Sequence, residues 1–407
     1  MTNSQRVVYA GVDTHQDVHV AAVLDDVGRL IDTASFGTDR AGLASLRRWV
    51  CAHGVVARVG VEGTGSYGAG LARCLNAAGI TVVEVNRPNR QLRRRRGKCD
   101  TVDAEAAARA ALAESGVVTP KSRDGIVEAI RSLKVVLDGT RKQQTQIVER
   151  LHHLVVAAPQ PVRDELMALS SPARIRLCAR WRPGADLTDP ATATRYCLRI
   201  LARQHQQLTG DHRELLSQLH ALTQQANPAL CAAYGIGPDT AATLLVAAGD
   251  NPERLTNEAA FAMLCGAAPI PASSGKTTAM RLNRGGNRQA NAALHRIVLV
   301  RMSHDHPRTR HYVHDHEHSM TKTAIMRCLK RYVAREVYHL LVNPPPQPRV
   351  DDLRQLRRQA GLSQRQVGQQ IGAPPTLISR IEHGAASHHT ATIAAYRKLI
   401  NALLNTT

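Results

Sequence analysis

Aromatic residues are scarce in this chain: they form 3% of its 407 residues, with two Trp and two Phe. Base-stacking platforms of the kind that single-strand binders use are therefore not evident. Long apolar runs are missing as well. None approaches the roughly 20 residues needed to cross a bilayer, and Met1 to Arg6 leads straight into a strand pattern, so no signal peptide is expected. The eight cysteines include no Cys-x-x-Cys pair, which argues for reduced cytoplasmic thiols rather than a disulfide framework or a zinc site. Acidic residues are outnumbered. Lys and Arg total 53 against 33 Asp and Glu, giving a net charge of +20. Such a field attracts nucleic acid or an anionic membrane. With no membrane segment, nucleic acid is the expected partner. A chain of this length holds two or three domains with real cores.

The densest chemistry lies at Arg93 to Glu105, which reads Arg-Arg-Arg-Arg-Gly-Lys-Cys-Asp-Thr-Val-Asp-Ala-Glu. Arg93, Arg94, Arg95, Arg96 and Lys98 run directly into Asp100 and Asp103. The two aspartates open an alanine-rich helical pattern and share one side of one turn. Paired carboxylates repel each other unless a divalent cation neutralises them, and the basic run would hold a polyanion nearby. Upstream, Val7 to Asp13 and Val18 to Leu24 read as a β-hairpin, with Asp13 near the end of its first strand. Leu43 to His53 reads as a short amphipathic helix, Val55 to Val61 as a third strand ending at Glu62, Ala69 to Ala78 as a helix and Ile80 to Val85 as a fourth strand. This alternation indicates an α/β domain. Gly63, Gly65 and Gly68 form a G-x-G-x-x-G between strand and helix, the context of a dinucleotide fingerprint. Glu62, however, stands where the pyrophosphate would approach, so the glycines are better read as a tight turn.

Asp13, Glu62, Asp100 and Asp103 together make four carboxylates at strand ends and one helix start, the hard oxygen ligands that gather magnesium for phosphoryl transfer. Here the sequence resembles RNase H-like nucleases of the RuvC-like group and, more closely, the DEDD transposases of the insertion-sequence one-ten family. The resemblance rests on Gly-Val-Asp13-Thr-His, on Val-Glu62-Gly-Thr-Gly-Ser-Tyr-Gly and on Lys98-Cys-Asp100-Thr-Val-Asp103-Ala.

From Gly125 to Ala226 glycine becomes rare and apolar residues recur at three and four. Long helices follow, antiparallel or paired between subunits, broken near Pro159-Gln-Pro161 and Pro183-Gly184. Their basic residues (Arg131, Lys134, Arg141, Lys142) suit solvated faces and nucleic-acid contact equally. Asn227 to Asp250 reads as helix, Gly235-Ile-Gly-Pro238, helix. This is either a helix–hairpin–helix that holds a DNA phosphate or a plain turn between packed helices. Next, Ser273-Ser274-Gly275-Lys276 lies in a Pro-bounded loop among Lys and Arg. A serine there is a candidate nucleophile toward a phosphodiester, with cations to stabilise the charged transition state. The block resembles the second transposase domain of the same family, with Ser274 on its Ser-Gly position and Gly286-Asn287-Arg288 on its later Gly-Asn motif. Ser273 is adjacent, and the sequence leaves the choice open. Six histidines between Ser303 and His318 lack the spacing that helical flanks would need for a metal cluster. After the stiff Asn343-Pro-Pro-Pro-Gln-Pro348 linker, Leu353 to Gly384 closely resembles a phage-repressor-like helix-turn-helix. Thr376, Ser379 and Arg380 would then face the major groove.

The expected fold is an α/β RNase H-like (RuvC-like) domain at 1–120, a long α-helical, coiled-coil-like region at 121–226 and a mainly α-helical transposase domain with a helix-hairpin-helix at 227–342. A linker at 343–350 and an all-α helix-turn-helix domain at 351–407 follow. The resemblance implies a cytoplasmic, nucleoid-associated bacterial transposase or recombinase of an insertion sequence. Asp13, Glu62, Asp100 and Asp103 would hold Mg2+ (or Mn2+), and Ser274 would attack the phosphodiester. It also implies double-stranded DNA as substrate, a structured element-encoded bridge RNA as guide, and homodimers pairing into a homotetramer. Arg93 to Lys98 are the first candidate phosphate contacts, with Lys276, Arg281, Arg284 and Asn287 second. Rival readings are a metal-dependent junction nuclease without serine chemistry, a DNA-binding regulator that needs only 351–407, and a nicotinamide-dependent enzyme.

Overall fold

The computed structural model describes residues 6–85, 99–275, 279–304, 306–345, 350–384 and 389–404. Arg93, Arg94, Arg95, Arg96, Lys98 and Lys276, expected to touch nucleic acid, lie outside the described residues. The chain forms two compact units, Met1–Gly125 with Ala248–Thr256, and Ile126–Ala247 with Asn257–Thr407.

In the first unit, β1 (Val7–Thr14), β2 (Val18–Asp25), β3 (Leu30–Gly37), β4 (Val55–Glu62), β5 (Val82–Val85) and β6 (Val117–Val118) form one sheet, in the order β3-β2-β1-β4-β5-β6. The first three strands are antiparallel, and β4 and β5 then run parallel to β1. This is the RNase H-like plan that the sequence led us to expect. The strand β3 was not expected. Its Leu-Ile-Asp-Thr-Ala-Ser-Phe-Gly has no fully buried residue, so pairing with β2, rather than its own periodicity, makes it a strand.

Strand alternation decides which residues meet which helices. Val8, Ala10 and Val12 of β1, with Val59 and Val61 of β4, enter one core with α1 (Arg40–Ala52) and α2 (Ala69–Ala77). Gly11 and Asp13, and Gly60 and Glu62, therefore point to the opposite face. Against that face lies α3 (Asp100–Ala113), whose Ala104, Ala107, Ala108 and Ala111 are buried. Gly11 and Gly60 are register partners on neighbouring strands. A Cβ on Gly11 would collide with the backbone of Ala104 and Ala108, and one on Gly60 would lie 2.5 Å from the Ala107 carbonyl oxygen. Alanines on the helix and glycines on the sheet thus permit an unusually close approach. The returning segment Ala248–Thr256 packs on the same unit, where the Asn251 side chain donates to the Pro120 carbonyl at 3.0 Å and accepts from the Ser122 N–H at 3.1 Å.

The second unit opens with α4 (Ile126–Val156) and α7 (Pro190–Ala226), which run antiparallel within one chain. Gln144 bonds Thr209 at 3.1 Å, whereas the later Leu151 and Val155 share a core with the earlier Leu198 and Ala202. The intervening α5 (Gln160–Met167) and α6 (Ser171–Arg180) contribute Val162, Leu166 and Ile175 to that core. Short helices α8 (Pro228–Ala232) and α9 (Pro238–Ala248) flank Gly235. Then α10 (Glu258–Leu264) and α11 (Arg288–Ser303) pack on α13 (Lys322–Val342), with the β7–β8 ribbon (Ile270–Pro271, Met280–Arg281) and α12 (Pro307–His316) between them in sequence. Arg301 of α11 holds Glu336 of α13 through two bonds of 2.7 and 2.8 Å. The last four helices are α14 (Leu353–Gln359), α15 (Gln364–Ile371), α16 (Pro375–Glu382) and α17 (Thr390–Leu404), around Leu353, Val367, Ile378, Ile381 and Tyr396. Among the described residues no helix is long and apolar enough to cross a membrane.

The packing of α3 yields a direct test. Gly11→Ala should destabilise the chain by about 1–3 kcal/mol through overpacking. Gly139→Ala, in α4 with open space around it, should gain about 0.5–1 kcal/mol. Urea unfolding of both variants beside wild type measures the contrast, and equal effects would refute the packing argument.

Candidate active site

Asp13 is only 6% exposed, on the sheet face that α3 covers. Glu62 ends β4, one step beyond the Val12–Val61 register pair, so it is Asp13's neighbour on the adjacent strand. The Thr14 hydroxyl donates to the Glu62 carbonyl at 2.8 Å and ties the two strand ends together. Gly63 follows with φ of +62°, and its carbonyl accepts from the N–H of Ser66 and of Gly68. A Cβ on Gly68 would sit 2.9 Å from the Glu62 carbonyl oxygen. The glycine loop is therefore folded back on its own strand end as a turn, not held open as a phosphate cradle.

Asp100 and Asp103 occupy the first turn of α3, where carboxylates are favoured by the helix dipole. Asp103 is 2% exposed, while Asp100 is half-exposed. His15, which the sequence reading gave no role, completes the group. Its Nε2 lies 3.2 Å from Asp13 Oδ2 and 3.5 Å from Asp100 Oδ1. Ligand atoms of Asp13, His15 and Asp100 all fall within 4.8 Å of one another, a set that does not take in Glu62 or Asp103. Burial pushes the Asp13 carboxyl above the ordinary aspartate value, and the nearby charges of Asp103 and Asp100 add to this, while His15 opposes it. A buried carboxylate crowded by two others is an environment that a divalent cation relieves. The donor set fits such an ion. One imidazole among the oxygens suits Mn2+ at least as well as Mg2+.

In the second unit, β7 and β8 form a small ribbon whose tip carries both candidate serines. The Ser273 hydroxyl accepts from the Ala279 N–H at 3.2 Å. Ser274 is exposed, and its hydroxyl has no hydrogen-bond partner among the described residues. Arg281 and Arg284 are exposed beyond it. Asn287 serves as the N-cap of α11, accepting from Gln289 and Ala290 N–H at 3.0 Å each. The signal missed in this region was α13, whose Arg327 and Lys330 line a cavity with Arg284 and Arg288.

Other basic residues have structural work. Asp239, at the start of α9, receives Lys134 at 2.9 Å, Arg296 at 2.8 Å and Arg141 at 3.4 Å. Burial would raise its carboxyl, but these cations outweigh that and hold it low. The N-terminus of α9 thus already carries an anion of its own. Arg131 pairs with Glu128. In the histidine-rich stretch, His311 and His314 pair with Asp315 and Glu317, and His316 stacks on Tyr312. No metal-binding group forms there among the described residues.

In the C-terminal helices, Ile378 and Ile381 of α16 point into the core, which leaves Thr376, Ser379 and Arg380 on the outward side, Ser379 half-buried. One carboxylate ties all four helices. Glu382, its side chain fully buried, accepts from Arg357 at 2.6 and 3.1 Å, from Tyr396 at 2.7 Å and from Gln364 at 2.9 Å. Burial alone would raise this carboxyl, but the bonds from Arg357, Tyr396 and Gln364 hold it below the usual glutamate range.

Three protein-family models match the chain. One described as Transposase, of the DEDD type of IS110, covers residues 10–158. Transposase IS116/IS110/IS902 family covers residues 227–314, and Helix-turn-helix domain covers residues 351–403. No curated protein matches.

Two measurements check this account. Mn2+ or Mg2+ at a hundred times its Kd should stabilise wild type by about 2.7 kcal/mol, and Asp13→Asn should lose most of that thermal shift. Glu382→Gln, which strands a buried Arg357, should cost about 3–5 kcal/mol at pH 7. Because the Glu382 carboxyl is depressed when folded, its stabilisation is present above the ordinary value of 4.5 and is lost as pH falls through the lower folded value. The gap between variant and wild type should therefore close in acid, as calorimetry of both proteins would show.

Proposed function

The chain belongs to the IS116/IS110/IS902 family of transposases, and from that premise we propose that it cuts and rejoins DNA through attack of Ser274 on a phosphodiester. A transposase of an insertion sequence is a DNA-processing enzyme, and the helix-turn-helix domain adds a DNA-binding module. The observation that carries the finer reading is Asp13, buried and sharing a cation-sized space with His15 and Asp100, inside the DEDD transposase match.

Asp13, Glu62, Asp100 and Asp103, with His15, would hold Mg2+ or Mn2+, which supplies charge neutralisation at a scissile phosphate. The Ser274 oxygen forms a bond to phosphorus while the phosphodiester bond to one strand breaks, and that strand departs with a free hydroxyl as it takes up a proton. The chain is then joined to DNA as a phosphoserine diester. A hydroxyl from the partner strand attacks that ester, restores the serine and seals the new junction. Between the two candidates, Ser274 is favoured because the Ser273 hydroxyl is already engaged by the Ala279 amide.

In this reading, 1–120 is the carboxylate domain, 121–226 the helical region, 227–342 the serine domain, 343–350 a linker and 351–407 the helix-turn-helix. Arg93, Arg94, Arg95, Arg96, Lys98, Lys276, Arg281 and Arg284 contact nucleic-acid phosphates, and Thr376, Ser379 and Arg380 contact DNA. The proposal includes a structured guide RNA encoded by the element and homodimers pairing into a tetramer. The net charge of +20 suits so large a polyanion. The chain acts among cytoplasmic nucleic acid.

Incubating element-end DNA with the protein, Mg2+ and the element's RNA tests the scheme on a denaturing gel. Wild type and Ser273→Ala should form a protein-linked DNA band, and Asp13→Ala and Ser274→Ala should not. Cleavage by Ser274→Ala without a linked band would leave a metal nuclease of the junction-resolving kind.

A further inference from the structure

Four cations of the second unit, Arg284, Arg288, Arg327 and Lys330, line a hollow of about 720 Å3 together with His295, Asn291 and the glycines Gly266 and Gly286. Elsewhere in this unit buried or half-buried cations meet carboxylates, as at Asp239, Glu336 and Glu382. This wall holds no Asp or Glu among the described residues. Lys330 is half-buried and donates to Asn291 Oδ1 at 3.1 Å, and the Asn291 amide is fixed by the carbonyls of Cys265 and Gly266 at 2.8 and 3.0 Å. The lysine is thus aimed by a built network rather than waving in solvent. Burial and the charge of Arg327 both pull its ammonium below the ordinary lysine value. An anion would relieve both effects.

A second hollow of about 450 Å3 adjoins the first and shares Gly266, Leu282, Asn283, Arg327 and Lys330 with it. Its far wall is apolar and aromatic, with Pro269, Ala324, Tyr312 and Tyr332. Tyr312 is pinned: its ring stacks on His316 with centroids 4.1 Å apart, and burial together with the Cys328 thiol pushes its phenol up to about 12. Tyr332 touches Tyr312 edge-on at 5.4 Å and is 54% exposed. In a chain with 3% aromatic residues, an exposed ring beside an unpaired cationic hollow is a stacking surface for a base.

We propose that the paired hollows bind one unpaired nucleotide of a DNA strand, its phosphate on Arg284, Arg288, Arg327 and Lys330 and its base against Tyr332. DNA is favoured because the hollow is built on the Leu282–Arg284 segment that directly follows the serine-bearing ribbon. The assignment rests on the proposed strand-cutting role of this domain. The site admits a base only when it is out of a duplex, since a paired base has both faces covered by its neighbours. It would hold the strand at a defined register during exchange.

Fluorescence anisotropy with the full-length protein tests this, using a labelled thymidine tetranucleotide, the same backbone without bases, and the ribose counterpart. Lys330→Gln and Arg327→Gln should weaken both DNA probes and flatten the slope of log Kd against log salt by about 0.7 per lost phosphate contact. Tyr332→Ala should weaken only the base-bearing probe, by about tenfold, and Tyr332→Phe should bind as wild type. A 4-thiothymidine probe should cross-link to the peptide containing Tyr332. Equal binding of both DNA probes by wild type and Tyr332→Ala, or dependence on these residues with the ribose probe alone, would overturn the proposal. No cleavage is read, so these binding results do not depend on whether Ser274 is the nucleophile. A failure of the serine chemistry and a failure of this site therefore give different results.

Discussion

The close approach of α3 to the sheet is the constraint on which the carboxylate site depends. A helix ordinarily stands off a sheet by the thickness of its side chains, about 10 Å between layers. Here two glycines on neighbouring strands, Gly11 and Gly60, meet a helix face made of Ala104, Ala107, Ala108 and Ala111. Because Asp13 shares its strand face with Gly11, and Glu62 shares its face with Gly60, any helix seated on the glycines sits over both acids. The same helix begins at Asp100, so its first-turn carboxylates arrive beside Asp13 and bury it. Packing of the smallest side chains thus sets the electrostatics of the carboxylate group around Asp13.

Charge in the second unit divides into two kinds. Lys134, Arg141 and Arg296 converge on Asp239, Arg301 closes on Glu336, and Arg357 is held by Glu382. These cations join helices that are distant in sequence, and their charge is spent inside the fold. Arg284, Arg288, Arg327 and Lys330 face one cavity with no acid in its wall among the described residues. Net charge alone does not separate the two kinds, since both count equally toward +20. Partner geometry does. The tyrosines follow the same rule: few in number, two of them stand at one hollow, so a low aromatic content did not exclude a stacking surface.

Much of this was legible in the chain itself. Strand and helix periods located β1, β2, β4, α2, α3 and the long helices, since local alternation and 3.6-residue spacing are written residue by residue. In α15 short-range signals are realised directly: Ser363 and Gln366 form a capping box at its start, and Gly372 closes it in the left-handed region. The acids Asp13, Glu62, Asp100 and Asp103 stood out because four carboxylates fell at two strand ends and one helix start of a single α/β pattern, next to a run of cations. The strand β3 stayed hidden because its register with β2, not its composition, defines it. His15 stayed hidden because a histidine two residues past an aspartate has no period to reveal it. Only the turn after β1 folds its ring back onto Asp13 and Asp100.

The amino-acid sequence by itself determined the order of the elements, the excess of positive charge and the identity of the acids and serines. These depend on residue type and short spacing, which the chain carries locally. The tertiary structure alone decided which cations are consumed in ion pairs and that Lys330 and Arg327 of α13 meet Arg284 and Arg288 across some forty residues of chain. It also decided that Ser273, not Ser274, is engaged by a backbone amide. The ion pairs and the cavity wall are contacts between segments distant in sequence, and the Ser273 bond closes the tip of one ribbon. Such contacts are selected by helix packing and close glycine approach, and no local pattern encodes them.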